Sequence, residues 1–99
     1  MDTANIAVSG IQAGLVRLAN AAHNVANLTT PDFQPLRTHQ ASIAGGGTRA
    51  LSQRESRPAE LDLAFELVES LRAAHATRAS LRVLGIEAEL SGSLVDLVA

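Results

Sequence analysis

The N-terminal segment carries small or apolar residues at alternating steps of four and three, the heptad spacing of a helix packed against another helix. Pro31 disfavours the α conformation at Thr30, so we expect this helix to occupy residues 1–29. A rod of about 25 residues is about 38 Å long and cannot bury its seam by itself. The seam consists of Ala4, Val8, Ile11, Leu15, Leu18, Ala22 and Val25.

The opposite side of this helix carries a second stripe, whose residues are small and uncharged. A helix with one side in water normally has Lys, Glu or Arg there, whereas only Arg17 lies near this stripe. We therefore expect both sides of the helix to contact neighbours. The stripe consists of Ile6, Ser9, Ala13, Val16, Asn20, Asn24 and Asn27.

The three asparagines of this stripe can be interpreted in two ways. Asparagine is mildly unfavourable in a helix because its amide competes for backbone hydrogen bonds. Asn27 could merely end the helix while Asn20 and Asn24 lie on the surface. Alternatively, one asparagine braces the following turn and the others reach across to a neighbouring backbone. Physical arguments alone leave both interpretations open.

The C-terminal segment shows the same helical pattern. Pro58 suits the first turn of a helix, and Glu60 and Asp62 place negative charge at the positive end of its dipole. We therefore expect a second helix over residues 59–99. Its heptad positions are Leu63, Leu67, Ser70, Ala74, Thr77, Leu81, Leu84, Ala88, Ser91 and Val95. A second apolar stripe consists of Val83, Ile86, Leu90, Leu94 and Leu97.

The middle segment, residues 30–58, is rich in Pro, Gly, Ser, Thr, Gln and Arg and contains three consecutive glycines at 45–47. We expect a mostly irregular connector with a flexible glycine run. Apolar residues at Leu36, Ile43 and Leu51 could pack on a helix or form a brief strand. Two long helices joined in this way predict an all-α fold of one structural domain, in which they form an antiparallel coiled-coil-like hairpin.

Charge and composition exclude several classes of partner. The net charge of −2 and the pI near 5.8 argue against nucleic acid or an anionic membrane surface, since either would favour a basic face. The chain has no Cys, so it has no disulfide framework and no thiolate metal site. No apolar run approaches the roughly 20 residues of a spanning helix. We expect no nucleic-acid partner, no membrane insertion and no cleaved signal peptide.

Signatures of enzyme chemistry are absent from the sequence. His23, His39 and His75 are the only imidazoles, and none lies four residues from another His or a carboxylate, as a helical metal site requires. The glycine run lacks the Lys-Ser or Lys-Thr that follows in a phosphate-binding loop. We therefore expect no enzymatic activity, no cofactor and no metal.

The first helix and the turn after it contain a recognisable motif. In residues 9–33, SGIQAGLVRLANAAHNVANLTTPDF, a Ser-Gly start leads into Asn-Val-Ala-Asn and then a Thr and a Phe. The segment resembles the N-terminal signature of the bacterial flagellar rod and hook family. The matching residues are Ser9, Gly10, Ala13, Asn24, Val25, Ala26, Asn27, Thr30 and Phe33. His23 replaces an Asn of that signature, and Asp32 replaces a Gly, although Asp also tolerates turn conformations.

The C-terminal helix resembles the closing helix of the same family. Its Leu-Ala-x-Glu-Leu-Val start is formed by Leu63, Ala64, Glu66, Leu67 and Val68, and the matches near its end are Leu90, Gly92, Leu94, Asp96 and Leu97. Thr77 and Ser80 depart from the Tyr and Asn common in the middle of that helix. The two matches cover about two-thirds of the chain, in the family's order.

The resemblance implies a structural subunit of the flagellar basal-body rod, located in the periplasmic space. In that family the terminal helices pair and pack into a tube, so the expected partners are other copies of the chain and related rod proteins. The resemblance also implies export by the flagellar type III apparatus without a cleaved signal. The short middle segment resembles a minimal proximal-rod protein. The predicted assembly interface consists of Val8, Ile11, Leu15, Leu18, Asn20, Asn24, Val25, Asn27, Phe33, Leu67, Leu81, Leu84, Leu90, Leu94 and Leu97.

A second hypothesis is a cytoplasmic helical adaptor or export chaperone that binds flagellar or other helical clients. Such a protein would also present an exposed apolar seam to another helix. The two hypotheses differ in where the chain works. Deleting an adaptor would leave assembled rods intact and reduce the delivery of its client.

Overall fold

The computed structural model describes residues 2–98, in which two helices flank a β-hairpin. Helix α1 spans Thr3–Ala26, strand β1 Leu36–Ser42, strand β2 Thr48–Arg54 and helix α2 Leu63–Val98. The helices lie antiparallel, since α1 approaches α2 near Ser80 at Gly10 and near Glu66 at Asn24. The hairpin packs against α1.

The predicted all-α fold with a mostly irregular connector is wrong. Residues 36–54 form a two-stranded antiparallel sheet, in which Leu36 pairs with Arg54 and Ser42 pairs with Thr48. The strand sequences lack the alternation of apolar and polar residues that signals a half-buried strand. One face of the hairpin instead meets α1 largely through hydroxyl and amide groups, and a search for hydrophobic periodicity cannot detect such a contact.

The three consecutive glycines, which the sequence placed in the connector, form the turn of this hairpin. Gly45, Gly46 and Gly47 have φ angles of 89°, 114° and 96°, a region that side chains rarely adopt. The turn is closed by hydrogen bonds from the Ile43 N–H to the Gly47 carbonyl and from the Gly46 N–H to the Ile43 carbonyl, both 3.0 Å long. Glycine is therefore required here to reverse the chain.

Both helices are shorter than the sequence pattern predicts, because local caps begin and end them. The Asp2 carboxylate accepts the Asn5 N–H at 2.8 Å and begins α1. The Asn27 amide donates to the His23 carbonyl at 2.9 Å and ends α1 after Ala26. Helix α2 begins at Leu63 and not near Pro58, because the Asp62 carboxylate accepts a free N–H group of the first turn.

The contact between the two helices is built from small residues. Within the helices, the buried apolar side chains in the described part of the chain are all alanines: Ala7, Ala13, Ala21 and Ala73. Added Cβ atoms on Gly10 and Gly14 would overlap the hydroxyls of Ser80 and Thr77. The helix backbones therefore approach closely, and large side chains have no room between them.

The large apolar side chains point outward along both helices. Those more than about a third exposed are Ile6, Val8, Leu15, Leu28, Leu51, Leu63, Phe65, Leu67, Val68, Leu71, Leu81, Val83, Ile86, Leu90, Leu94, Val95, Leu97 and Val98. The accessible surface is 6774 Å², against about 5,400 Å² for a compact chain of this mass. The radius of gyration is 17.4 Å, against about 13 Å. The chain lacks the core of a complete globular domain.

The last part of α2 extends beyond the rest of the molecule. The pairings of Gly10 with Ser80 and of Asn24 with Glu66 place Thr3, the first residue of α1, level with residue 87. Residues 88–98, here called the overhang, are all exposed and span about 16 Å. The overhang therefore has no neighbour within the described chain.

The close helix contact can be tested with a pair of glycine substitutions. Gly14→Ala should lower the free energy of unfolding by about 1–2 kcal/mol, because overpacking outweighs the gain in helix propensity. Gly85→Ala should raise it by up to about 1 kcal/mol, because nothing lies within 4 Å of a Cβ at that position. Urea unfolding of dilute protein measures both values, and stabilisation by both substitutions would contradict the close contact.

Candidate functional site

Asn24 attaches the start of the hairpin to α1. Its amide nitrogen donates to the Leu36 carbonyl and its amide oxygen accepts the Leu36 N–H, each at 2.9 Å. Asn24 is only 1% exposed. An amide side chain offers a donor and an acceptor side by side, so it can pair with a peptide group as a neighbouring strand would.

Glu66 completes this contact from α2. One of its carboxylate oxygens accepts the Asn24 amide at 3.1 Å and the Arg37 guanidinium at 2.8 Å, although Glu66 is only 1% exposed. Arg37 also donates to Glu55 at 2.8 Å and lies 5.3 Å from the centre of the Phe65 ring. These five residues are here called the polar cluster. They connect α1, the hairpin and α2.

The electrostatics of the polar cluster keep its arginine charged. Burial acts to lower the pKa of Arg37, but hydrogen bonds to Glu55 and Glu66 outweigh it, so the pKa is raised. Arginine is protonated at all ordinary pH values. The buried carboxylate of Glu66 therefore keeps a cationic partner throughout the physiological range.

Two more polar residues of α1 hold the rest of the hairpin. The Asn20 amide donates to the Thr38 hydroxyl at 2.8 Å and accepts the Ser52 hydroxyl at 3.0 Å. The Ser9 hydroxyl accepts the Thr48 N–H at 3.1 Å, next to the glycine turn. The neighbour expected along the second stripe of α1 is thus, in part, the hairpin of the same chain.

The Asn27 region forms a separate turn at the end of α1. The Thr30 hydroxyl donates to the Asn27 side chain at 3.1 Å, and the His23 and Phe33 rings lie 5.5 Å apart. Asp32, where the resembled signature has Gly, has a φ of 54° and occupies the left-handed region that Asp tolerates. Asn27 ends the helix, whereas Asn20 and Asn24 reach across to the hairpin. The interpretation that places Asn20 and Asn24 on the surface is therefore wrong, since both are buried against the hairpin.

The residues predicted for an assembly interface fall into three groups. Asn20 and Asn24 are buried against the hairpin. Half-buried positions are Ile11, Leu18, Val25, Asn27, Phe33 and Leu84. Exposed positions are Val8, Leu15, Leu67, Leu81, Leu90, Leu94 and Leu97. The structure thus leaves the exposed group as an uncovered surface on both helices, which we call the outer apolar surface.

Several residues of the site were not found by sequence reasoning. Arg37 and Glu55 belong to the middle segment, and nothing in their spacing links them to Glu66 on α2. Phe65 and Leu71 enlarge the outer apolar surface on α2, at 50% and 62% exposed. Glu66 could have been found, because it is the one charged residue in the Leu-Ala-x-Glu-Leu-Val motif.

Residues 2–98 contain neither a metal-binding cluster nor a membrane-spanning helix. No group of three or more His, Asp or Glu residues there is placed to hold a metal ion. No helix in that part of the chain is long and apolar enough to cross a membrane. His39 and His75 are exposed, and His23 is half-buried beside Phe33.

The importance of Glu66 can be measured against a second glutamate on the same helix. Glu66→Ala should lower the free energy of unfolding by about 2–3 kcal/mol, because Arg37 and Asn24 lose their common acceptor. Glu69→Ala should lower it by no more than about 1 kcal/mol, because the Arg17–Glu69 pair is partly solvated. If urea unfolding showed that both variants lose the same free energy of unfolding, the burial of Glu66 would not increase its contribution to stability.

A second test addresses the amide of Asn24. Asn24→Asp removes the donor to the Leu36 carbonyl and places a carboxylate beside Glu66, so we expect a loss of about 3 kcal/mol or more. Asn5→Asp makes the same chemical change at the exposed start of α1 and should be neutral or slightly stabilising. Hydrogen exchange should show β1 amides exposed in the first variant and protected in the second.

Comparison with known proteins does not assign the chain to a family. No protein-family model matches the chain, and no curated protein matches it. The resemblance to flagellar rod and hook proteins therefore rests on the two terminal motifs.

Proposed function

We propose that the chain is a structural subunit of the bacterial flagellar basal-body rod, and that it assembles through its terminal helices into a tubular axial structure. One observation carries the proposal. The two helices meet through alanine, glycine, serine and threonine, while most of their leucine, isoleucine and valine side chains are exposed. Exposed apolar area of this extent is typical of a protein–protein contact surface.

The amount of exposed surface supports assembly over a monomeric role. The chain exposes 6774 Å², about 1,400 Å² more than a compact chain of its mass. A standard protein–protein interface takes about 800 Å² from each partner. The excess is therefore large enough for contacts with more than one neighbour, as a subunit in the wall of a tube requires.

The polar cluster supports the resemblance through contacts made by the motif residues. Asn24 belongs to the N-terminal motif and Glu66 to the C-terminal motif, and the two are hydrogen-bonded at 3.1 Å although 42 residues separate them. Both are buried. The two motifs thus form one contact, which pairs the ends of the chain as the resembled family does.

The hairpin is consistent with a rod subunit that has a minimal outer part. It lies flat on α1 and does not form a separate globular unit. In this proposal the partners are other copies of the chain and related rod proteins. In the same proposal, the chain reaches the rod in the periplasmic space through the flagellar type III export apparatus.

Purified basal bodies provide the test. The wild-type polypeptide should co-purify with them, and Val25→Asp and Leu94→Asp should each remove it, because each places a charge on a surface that assembly would bury. Gln53→Asp, on the hairpin face turned away from α1, is the control and should be retained.

A wild-type chain that stays in the cytoplasm, bound to a client while rods assemble normally, would contradict the proposal. That outcome would favour the adaptor or chaperone, whose exposed helix face has the same chemistry.

A further inference from the structure

A shallow groove of about 420 Å³ runs between α1 and the second strand of the hairpin. Its apolar wall is formed by Val8, Ala13, Val16, Ile43 and Ala50. Arg49 lines the same groove, is exposed, and has no carboxylate within salt-bridge distance among residues 2–98. The groove therefore suits an apolar segment that carries negative charge.

The overhang of α2 has the complementary properties. Leu90, Leu94 and Leu97 recur at steps of four and three, so they form one apolar stripe on the helix. Leu94 is 64% exposed and Leu97 is 82% exposed. The overhang has two acidic residues, Glu89 and Asp96, and no basic residue.

We propose that the overhang of one copy lies in the α1–β2 groove of the next copy, with Leu90 against Val16, Leu97 against Val8 and the acidic side chains beside Arg49. The inference deepens the proposed function and rests on it, because it names the surfaces through which the subunits join. The groove centre and the overhang centre lie about 22 Å apart along the helix axis. Neighbouring copies are therefore parallel and displaced by about that distance.

The charge of the overhang and the straight course of α2 indicate that the groove is occupied by the overhang of a second copy. Two overhangs packed against each other would bring like charges together, which is unfavourable. The overhang cannot fill its own groove, because it continues α2 in a straight line past the start of α1. A staggered contact of this kind leaves one groove and one overhang free at the ends, so it grows without closing.

The experiment uses two full-length variants that each disable one surface. Val8→Asp disables the groove and Leu94→Asp disables the overhang. Both positions are exposed, so dichroism and thermal melting should show folded chains. Light scattering should show that the wild type forms species larger than dimers, that each variant alone is monomeric, and that an equimolar mixture forms a one-to-one dimer. The dimer is expected because only one intact groove and one intact overhang meet.

Arg49→Glu tests the charge component separately. It should weaken wild-type association about tenfold, whereas Arg78→Glu, at an exposed position of α2 outside the groove, should leave association unchanged. The inference is overturned by a mixture that stays monomeric, by a single variant that assembles like wild type, or by a wild type that stops at dimers or stays monomeric at its highest soluble concentration. None of these outcomes bears on whether the chain co-purifies with basal bodies, so the two proposals fail separately.

Discussion

The close approach of the two helix backbones is the constraint on which the rest of the structure depends. Gly10 and Gly14 lie directly against Ser80 and Thr77, and no leucine or isoleucine fits between helices at that distance. Most of the large apolar side chains therefore lie outside, where each realises only part of the about 1.5–3 kcal/mol that full burial would contribute. A chain with this arrangement gains most of its hydrophobic stabilisation only when other molecules cover it.

Polar contacts take the place that a hydrophobic core holds in a globular domain. Asn24, Glu66 and Pro35 are the largest fully buried side chains in the described part of the chain, and the other buried apolar side chains there are alanines. A buried ion pair adds little net stability, since desolvation offsets most of its attraction. Its geometry is nevertheless specific. The polar cluster aligns α1, α2 and the hairpin, and so determines which faces of the helices remain outside.

Much of the helical structure could be predicted, because heptad spacing depends on residues close together in the sequence. Both helices are present, and most of the exposed apolar residues belong to the predicted stripes. The hairpin could not be predicted, because its strands lack apolar alternation and are held by hydroxyls and amides of α1. Arg37 and Glu55 were missed for a related reason, since their partner Glu66 lies on a distant helix.

By itself, the sequence determined that the two ends are helices and that each helix carries more apolar and small residues than one contact can use. These properties follow from local periodicity and composition. Only the tertiary structure decided which stripe faces inward. Ser9, Ala13, Asn20 and Asn24 of the second stripe on α1 are buried, whereas the residues of the heptad seam are half-buried or exposed. The reason is that glycine and alanine permit a close backbone contact and that Asn24 finds two partners within the chain.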